Sequence, residues 1–426
     1  MSTVRMPETV ERILDFGVND ADQHSTPPVD AYERYIDPAK RDKAIRLGAG
    51  PDGRTTMLYA GRPARLTRHS GQVTFTDDDM ADLGIAANGV DGEGVRVPGS
   101  LLGKLNPLRG LDQEGRQEFA RRYRALQAQL DDPHTRLTVM DELGVDAIVN
   151  YMAPLAIEYE FEDDWDGLYA NLRAINRYIA MEWGFNYQDR LFTPPLVSFA
   201  SAEAAIAELD CLLAEGPPRI IQIPTGHSMF TSPFRPELDP FWARINEASI
   251  NICTHLASLT FYGRQATAWS EPEVMLGDMD AFQYLFFYGD RPAMETVGAA
   301  ILQGLFARFP GIRLLISEQG SLWVPYLVKG MDTAFFMGRK ATWGTLARRP
   351  SEYFRDHVFV APWPEENVER VIQAVGADPI VFGSDFPHGN GLPDPALYLP
   401  QLKGCSDSQA RAIMRGNLAR FLGLSD

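Results

Sequence analysis

Asp378-Pro379-Ile380-Val381-Phe382-Gly383-Ser384-Asp385-Phe386-Pro387-His388 is a short apolar run that ends in a carboxylate and an imidazole. Its core carries no charge, as a strand buried on both faces requires. Near the N-terminus a second strand-like run ends in Asp20-Ala21-Asp22-Gln23-His24. Side chains of an extended chain alternate between faces, so Asp20, Asp22 and His24 point the same way. Two strands that finish in carboxylates and imidazoles predict converging ligands, and hence a metal site.

Outward from these ends the chain alternates. An amphipathic helix closes at Gly144, and Val145-Asp146-Ala147-Ile148-Val149-Asn150-Tyr151 follows as a strand. Further strands are expected at 193–198, 219–223, 249–254, 312–316, 357–360 and 379–382. Helices are expected at 166–185, 202–215, 240–248, 291–309, 322–338, 365–375 and 408–422. With the strand before Asp20 this makes eight strands with helices between them, and alternation of that kind implies a parallel sheet. Eight βα units predict an α/β fold, a closed (β/α)8 TIM barrel, with residues 1–426 forming one domain. A doubly wound open sheet is the alternative. It calls for a glycine-rich phosphate loop after the first strand, and Asp20–His24 offers none.

Residues 25–131 interrupt the barrel right after its first strand. The stretch is polar and rich in glycine, with Gly48-Ala49-Gly50-Pro51-Asp52-Gly53 and Asn88-Gly89-Val90-Asp91-Gly92-Glu93-Gly94. It reads as an insertion with little regular structure, entering at the catalytic rim and serving as a lid and a homo-oligomer contact. Met57-Leu58-Tyr59-Ala60-Gly61-Arg62 and Val97-Pro98-Gly99-Ser100-Leu101-Leu102 are the stretches expected to pack. Arg62, Arg65 and Arg68 are solvated or meet an anionic substrate.

The 426 residues are 45% hydrophobic and 23% charged, an ordinary globular composition. A net charge of −17 argues against nucleic acid and anionic membranes as partners, though not against a small anionic substrate. Cys211, Cys253 and Cys405 make no metal or disulfide pattern and suit a reducing cytoplasm. The N-terminal residues lack the apolar core of a signal peptide, and no run is long enough to cross a membrane.

Strand ends supply the candidate site. They bring Asp20, Asp22 and His24, Asn150 and Tyr151, His227, His255, Ser317 and Glu318, then Asp385 and His388. Of seven histidines, His24, His227, His255 and His388 fall just past predicted strand ends; His69, His134 and His357 do not. A lone histidine after a strand is more often a loop hydrogen-bonder, which is the bland reading of His227. Glu318, two residues before Gly320, reads as a helix cap or as a ligand or base. Asp22, His24, His255 and Asp385 form a set, and such sets suit Zn, Mn or Fe.

These motifs, with Phe309-Pro310-Gly311-Ile312-Arg313-Leu314-Leu315-Ile316-Ser317-Glu318-Gln319-Gly320, resemble the amidohydrolase superfamily. The branch is the one containing aminocarboxymuconate semialdehyde decarboxylase. The resemblance covers about residues 134–423 plus the first strand. It implies metal ligands at Asp22, His24, His255 and Asp385. Two departures stand out: Asp22 replaces the usual first histidine, and Glu318 replaces the usual catalytic one. Both enrich the site in hard oxygen donors and bring a dinuclear site into view, with Glu318 as a further ligand.

Three functions follow. The first is a metal-dependent hydrolase or decarboxylase of a small, carboxylate-bearing substrate, with Asp385, Glu318 and His388 as its acid–base groups. The second is a dinuclear iron or manganese oxygenase; the third is a non-catalytic partner subunit. Trp323, Tyr151, Met152, Phe230 and Phe282-Gln283-Tyr284-Leu285-Phe286-Phe287-Tyr288 are expected to line a pocket or, for the last run, a subunit contact.

Overall fold

Eight parallel segments close into a ring, and each can be traced through its hydrogen bonds. The computed structural model describes residues 14–28, 30–50, 55–59, 61–63, 130, 132–152, 157–256, 266–272, 281–288, 290–338, 346–364, 366–388, 391–392 and 394–424. Its strands are β1 (Val18–His24), β2 (Arg46–Ala49), β3 (Thr55–Tyr59), β4 (Arg62–Pro63), β5 (Val145–Tyr151), β6 (Asn186–Tyr187), β7 (Leu191–Phe192), β8 (Ile220–Gln222), β9 (Asn251–His255), β10 (Leu314–Ser317) and β11 (Val358–Val360).

One parallel ladder runs β1, β5, β7; another runs β8, β9, β10, β11. Backbone bonds join them at both sides. Gln222 N donates to Pro195 O at 2.8 Å, and Val197 N donates to Gln222 O at 3.0 Å. On the far side Val381 N donates to Val360 O at 3.0 Å, Ala21 N to Phe382 O at 2.8 Å and Asp385 N to Asp22 O at 2.8 Å. Residues 191–197 and 379–386 are thus the third and eighth members of a closed (β/α)8 barrel. The third member pairs only in part because Pro194 and Pro195 have no N–H to give the ladder.

Inside the ring Ala21, Ala147, Val149, Phe192, Ile220, Cys253, Leu315, Phe359 and Val381 pack as one apolar cluster, together with Leu418, Phe421 and Leu422 of the helix Asn417–Leu422. The outer helices pack their apolar faces on the strands in a second, larger cluster.

Most helices fall where the pattern places them. Ala202–Glu215 is capped by Ser201, whose side chain accepts from Ala204 N, and Pro133–Leu143 stops at Gly144 with φ of 67°. Two differ. The helix expected over 291–309 is broken into Asp290–Leu302 and Leu305–Arg308, because Gly304 turns the chain at φ of 78°. A helix the sequence reading missed, Pro350–His357, opens with proline in its first turn, and Glu352 accepts from Arg349 N at 2.9 Å.

The described part of 25–131 is more regular than its composition suggests. A short helix, Ala31–Tyr35, precedes an antiparallel sheet of β2, β3 and β4. This part docks on the helix Trp165–Tyr178. Lys43 Nζ reaches Asp164 at 2.8 Å, Lys40 Nζ reaches Asp166 at 2.6 Å, and Ile45 N donates to Asn171 Oδ1 at 2.9 Å. Asp164 and Asp166 begin the helix that follows β5, and so stand on the barrel face where strands end. Residues 64–129, with Arg65, Arg68 and Val97-Pro98-Gly99-Ser100-Leu101-Leu102, lie outside the described residues. Arg62 stacks over the Tyr59 ring, 5.6 Å from its centroid. Among the described residues no helix is long and apolar enough to cross a membrane, and Cys211, Cys253 and Cys405 form no disulfide.

Candidate metal centre

At the C-terminal rim of the barrel five donors from four strand ends form an arc. Asp385 Oδ1 lies 3.1 Å from His24 Nε2, which lies 3.3 Å from Asp22 Oδ1. His255 Nε2 continues the arc, 3.3 Å from Asp22 Oδ1 and 3.2 Å from Glu318 Oε2. All five side chains are almost wholly removed from solvent. The structure therefore brings together Asp22, His24, His255, Glu318 and Asp385. His388 stands just outside, its Nδ1 2.6 Å from Asp385 Oδ1 and its ring stacked on His24 at 4.0 Å between centroids.

Asp22, His24 and His255 fit a divalent cation on two counts. Asp22 Oδ1 and His24 Nε2 are buried, yet neither has a hydrogen-bond partner, which is costly unless something else sits between them. The spacings are also right. Metal–ligand bonds of about 2.1 Å put neighbouring donors roughly 3.0 Å apart in an octahedron and roughly 3.4 Å apart in a tetrahedron. Asp22, His24 and His255 offer ligand atoms within 4.8 Å of one another, and so do His24, Asp385 and His388.

Electrostatics agree. Burial raises the Asp22 carboxyl, but His24 and His255 beside it lower it further, and the net shift is downward. Burial lowers the His24 imidazole, but Asp22 and Asp385 raise it further, and the net shift is upward. The arc thus stabilises positive charge at its centre. Asp385 and Glu318 have backbone φ of 58° and 53°, a left-handed conformation that non-glycine residues hold at a cost of about 1 kcal/mol or more. Strain at two donors belongs with a site built for chemistry.

Other expected residues take different places. Asp20 shares the strand but not the arc; its oxygens accept from Asp22 N, Ser384 N and Gln23. His227 keeps the bland role, accepting Phe230 N at Nδ1 at 3.2 Å, with Phe230 stacked on it and 62% exposed. Tyr151 packs its ring 4.4 Å from that of His255 and donates to Ser317 Oγ at 2.9 Å. Asn150 accepts from Ser25 Oγ. Trp323 is buried, and its Nε1 donates to Gly320 O at 3.0 Å, so it supports the Glu318 loop. Met152 is buried; Leu285 and Phe286 are exposed.

Behind the same loop sits Glu366. Its Oε2 accepts from Ser321 N at 2.7 Å, Ser321 Oγ at 2.8 Å and Trp363 N at 3.1 Å. Burial pushes its carboxyl up from 4.5 to about 7, against the hydrogen bonds from Ser321. The native state then keeps a proton that the unfolded chain gives up. Its stabilising effect is complete below the unfolded value and is lost as pH rises through about 7, on the order of 3 kcal/mol in all. Glu366→Gln keeps an acceptor oxygen and cannot ionise. We expect its stability relative to wild type to rise by about 2 kcal/mol between pH 5 and pH 8 in denaturant unfolding. Parallel pH profiles would refute this.

The family model described as amidohydrolase matches residues 20–424. The chain belongs to the amidohydrolase family. As a member of that family it is an enzyme. Among solved structures, an amidohydrolase from Mycobacterium avium subsp. paratuberculosis K-10 is similar at 24% identity and a TM-score of 0.77, over 97% of this chain and 99% of that one. A manganese-bound 5-carboxyvanillate decarboxylase from Novosphingobium aromaticivorans is similar at 14% identity and a TM-score of 0.59, over 96% and 98%. A 2,6-dihydroxybenzoate decarboxylase from Rhizobium is similar at 18% identity and a TM-score of 0.51, over 77% and 95%. No curated protein matches the sequence.

Proposed function

We propose that this amidohydrolase is a metal-dependent carboxy-lyase that removes CO2 from a small aromatic carboxylate. Asp22, His24, His255, Glu318 and Asp385 hold the divalent cation, which supplies Lewis-acid polarisation of the substrate when bound. The observation that carries the reading is the 2.6 Å contact between Asp385 Oδ1 and His388 Nδ1 at the edge of the donor arc. Decarboxylation breaks one C–C bond and leaves its electron pair on carbon, which then takes one proton. Asp385 orients the His388 ring, and the pair holds that proton beside the centre.

Three carboxylates in the arc favour this over hydrolysis. Each anionic donor cancels part of the charge that would acidify a water. The hard oxygen donors Asp22, Glu318 and Asp385 also favour manganese or iron over zinc. The decarboxylases among the similar structures support the aromatic carboxylate as substrate class. The test is CO2 release by manganese-loaded protein from a panel of hydroxybenzoates, 2,6-dihydroxybenzoate and 5-carboxyvanillate included. Turnover of esters or amides without CO2 would overturn it.

The same three carboxylates carry a second reading, a dinuclear oxygenase. It requires O2 uptake coupled to turnover, which a carboxy-lyase does not show.

We further propose that the protein works in the cytoplasm as a homo-oligomer, with 25–131 forming part of the barrel domain as lid and subunit contact. The docking of Lys40 and Lys43 on the rim-side end of the helix Trp165–Tyr178 supports the lid placement. A substrate analogue should slow proteolysis within the insertion at least several-fold, and sizing should show more than one chain. A monomer fully active after clean excision of the segment would sink the idea.

A further inference from the structure

Asp20 is completely buried and stands outside the donor arc, yet it touches both strands that feed it. Its Oδ1 accepts from Asp22 N at 3.0 Å and from Ser384 N at 2.9 Å. Those two N–H groups belong to one proposed ligand and to the neighbour of another, Asp385. Oδ2 accepts from Gln23 Nε2 at 2.7 Å. The other end of that amide, Gln23 Oε1, accepts from Arg136 Nη2 at 2.8 Å. Arg136 comes from the helix Pro133–Leu143 and is also fully buried. Its Nε and Nη1 have no hydrogen-bond partner, and its guanidinium carbon lies 5.4 Å from the centre of the Phe386 ring.

A buried carboxylate and a buried guanidinium joined through one amide are expensive to keep out of water. The local backbone gives them a task. The pairing of β1 with β5 slips between Asp20 and Gln23, so ladder register alone does not place Asp22. Asp385 is held in the left-handed region, so its own conformational preference does not place it either. One carboxylate oxygen that bonds Asp22 N and Ser384 N together fixes the distance between these two ends. The Gln23 amide can satisfy Asp20 and Arg136 in only one orientation, nitrogen toward the anion and oxygen toward the cation. The relay therefore has a direction and a fixed length.

We propose that Asp20, Gln23 and Arg136 are positioning residues, a buried relay that sets the separation of the Asp22 and Asp385 donors and so the affinity for the cation. The proposal rests on the reading of Asp22 and Asp385 as ligands. Partners of this kind typically carry 10–100-fold of metal affinity.

The test is calorimetric titration of metal-stripped full-length protein with Mn2+, alongside thermal melts without metal. Asp20→Asn keeps an oxygen for Asp22 N and Ser384 N but turns an NH2 group toward the NH2 of Gln23. Mn2+ affinity should fall at least about tenfold, with the metal-free melting temperature within a few degrees of wild type. Adding Gln23→Glu restores the relay with the charge moved one step: the new amide donates to the new carboxylate, which then meets Arg136 directly. The double variant should recover to within about threefold of wild type.

Unchanged affinity in Asp20→Asn, or no recovery in the double variant, overturns the relay. A metal-free melting temperature that falls in step with affinity also overturns it, since the network would then be ordinary core. Wild type that binds no Mn2+, or Asp385→Asn that binds it normally, removes instead the ligand reading beneath it.

Discussion

Asp385→Asn should lower turnover by about three orders of magnitude or more while leaving the barrel folded. The substitution changes almost no volume, and Asp385 Oδ1 meets both His24 Nε2 at 3.1 Å and His388 Nδ1 at 2.6 Å. An amide there loses a negative donor from the arc and the anion that orients the His388 ring. Its backbone amide still donates to Asp22 O at 2.8 Å, so the junction of first and eighth strands survives. The change in metal-free stability should stay within about 1–2 kcal/mol. Metal analysis, turnover and a melt on one preparation check the three parts together. Full activity in this variant, or in metal-stripped wild type, would sink the metal-centre reading.

How far the sequence could be read follows from what each element depends on. β5 and the helix Ala202–Glu215 match the expected bounds, because pattern and end signals coincide there: Gly144 before the strand, Ser201 before the helix. That Asp22, His24, His255 and Asp385 converge was legible because a barrel gathers all strand ends on one face, so knowing the ends suffices. Glu318 was readable as a cap, a ligand or a base, and its 3.2 Å approach to His255 needs the three-dimensional ring.

Other features leave no local trace. Pro194 and Pro195 thin the third strand, which an apolar count cannot register. Gln23 bears on the arc through Asp20, after a slip in register that strand alternation does not foretell. Arg136 sits within a helix and carries no sequence signal of its role; its complete burial appears only in the folded chain.

Glu318→Gln should weaken metal loading and not turnover alone. The arc holds three carboxylates, Asp22, Glu318 and Asp385, and two imidazoles, His24 and His255, within a site almost closed to solvent. With neutral imidazoles one divalent cation leaves a residual charge of about −1, and two leave about +1, so the count of charges does not by itself fix the number of cations. Glu318 decides between these. Glu318 Oε2 lies 3.2 Å from His255 Nε2, so it can share that imidazole's cation or help to hold a second one. Its left-handed backbone is kept at a cost that a simple helix cap would not justify. Removing its charge should therefore lower the bound manganese or iron per chain, or raise the dissociation constant by about tenfold or more. Elemental analysis after dialysis, with titration of stripped protein, reads both. A drop from two cations to one would make the centre dinuclear and bring the oxygenase reading forward, to be settled by O2 uptake. A weaker single site would keep the carboxy-lyase with Glu318 as a fifth ligand. Loading at the wild-type level with turnover lost would assign Glu318 to proton transfer, and would exclude it from the ligand set.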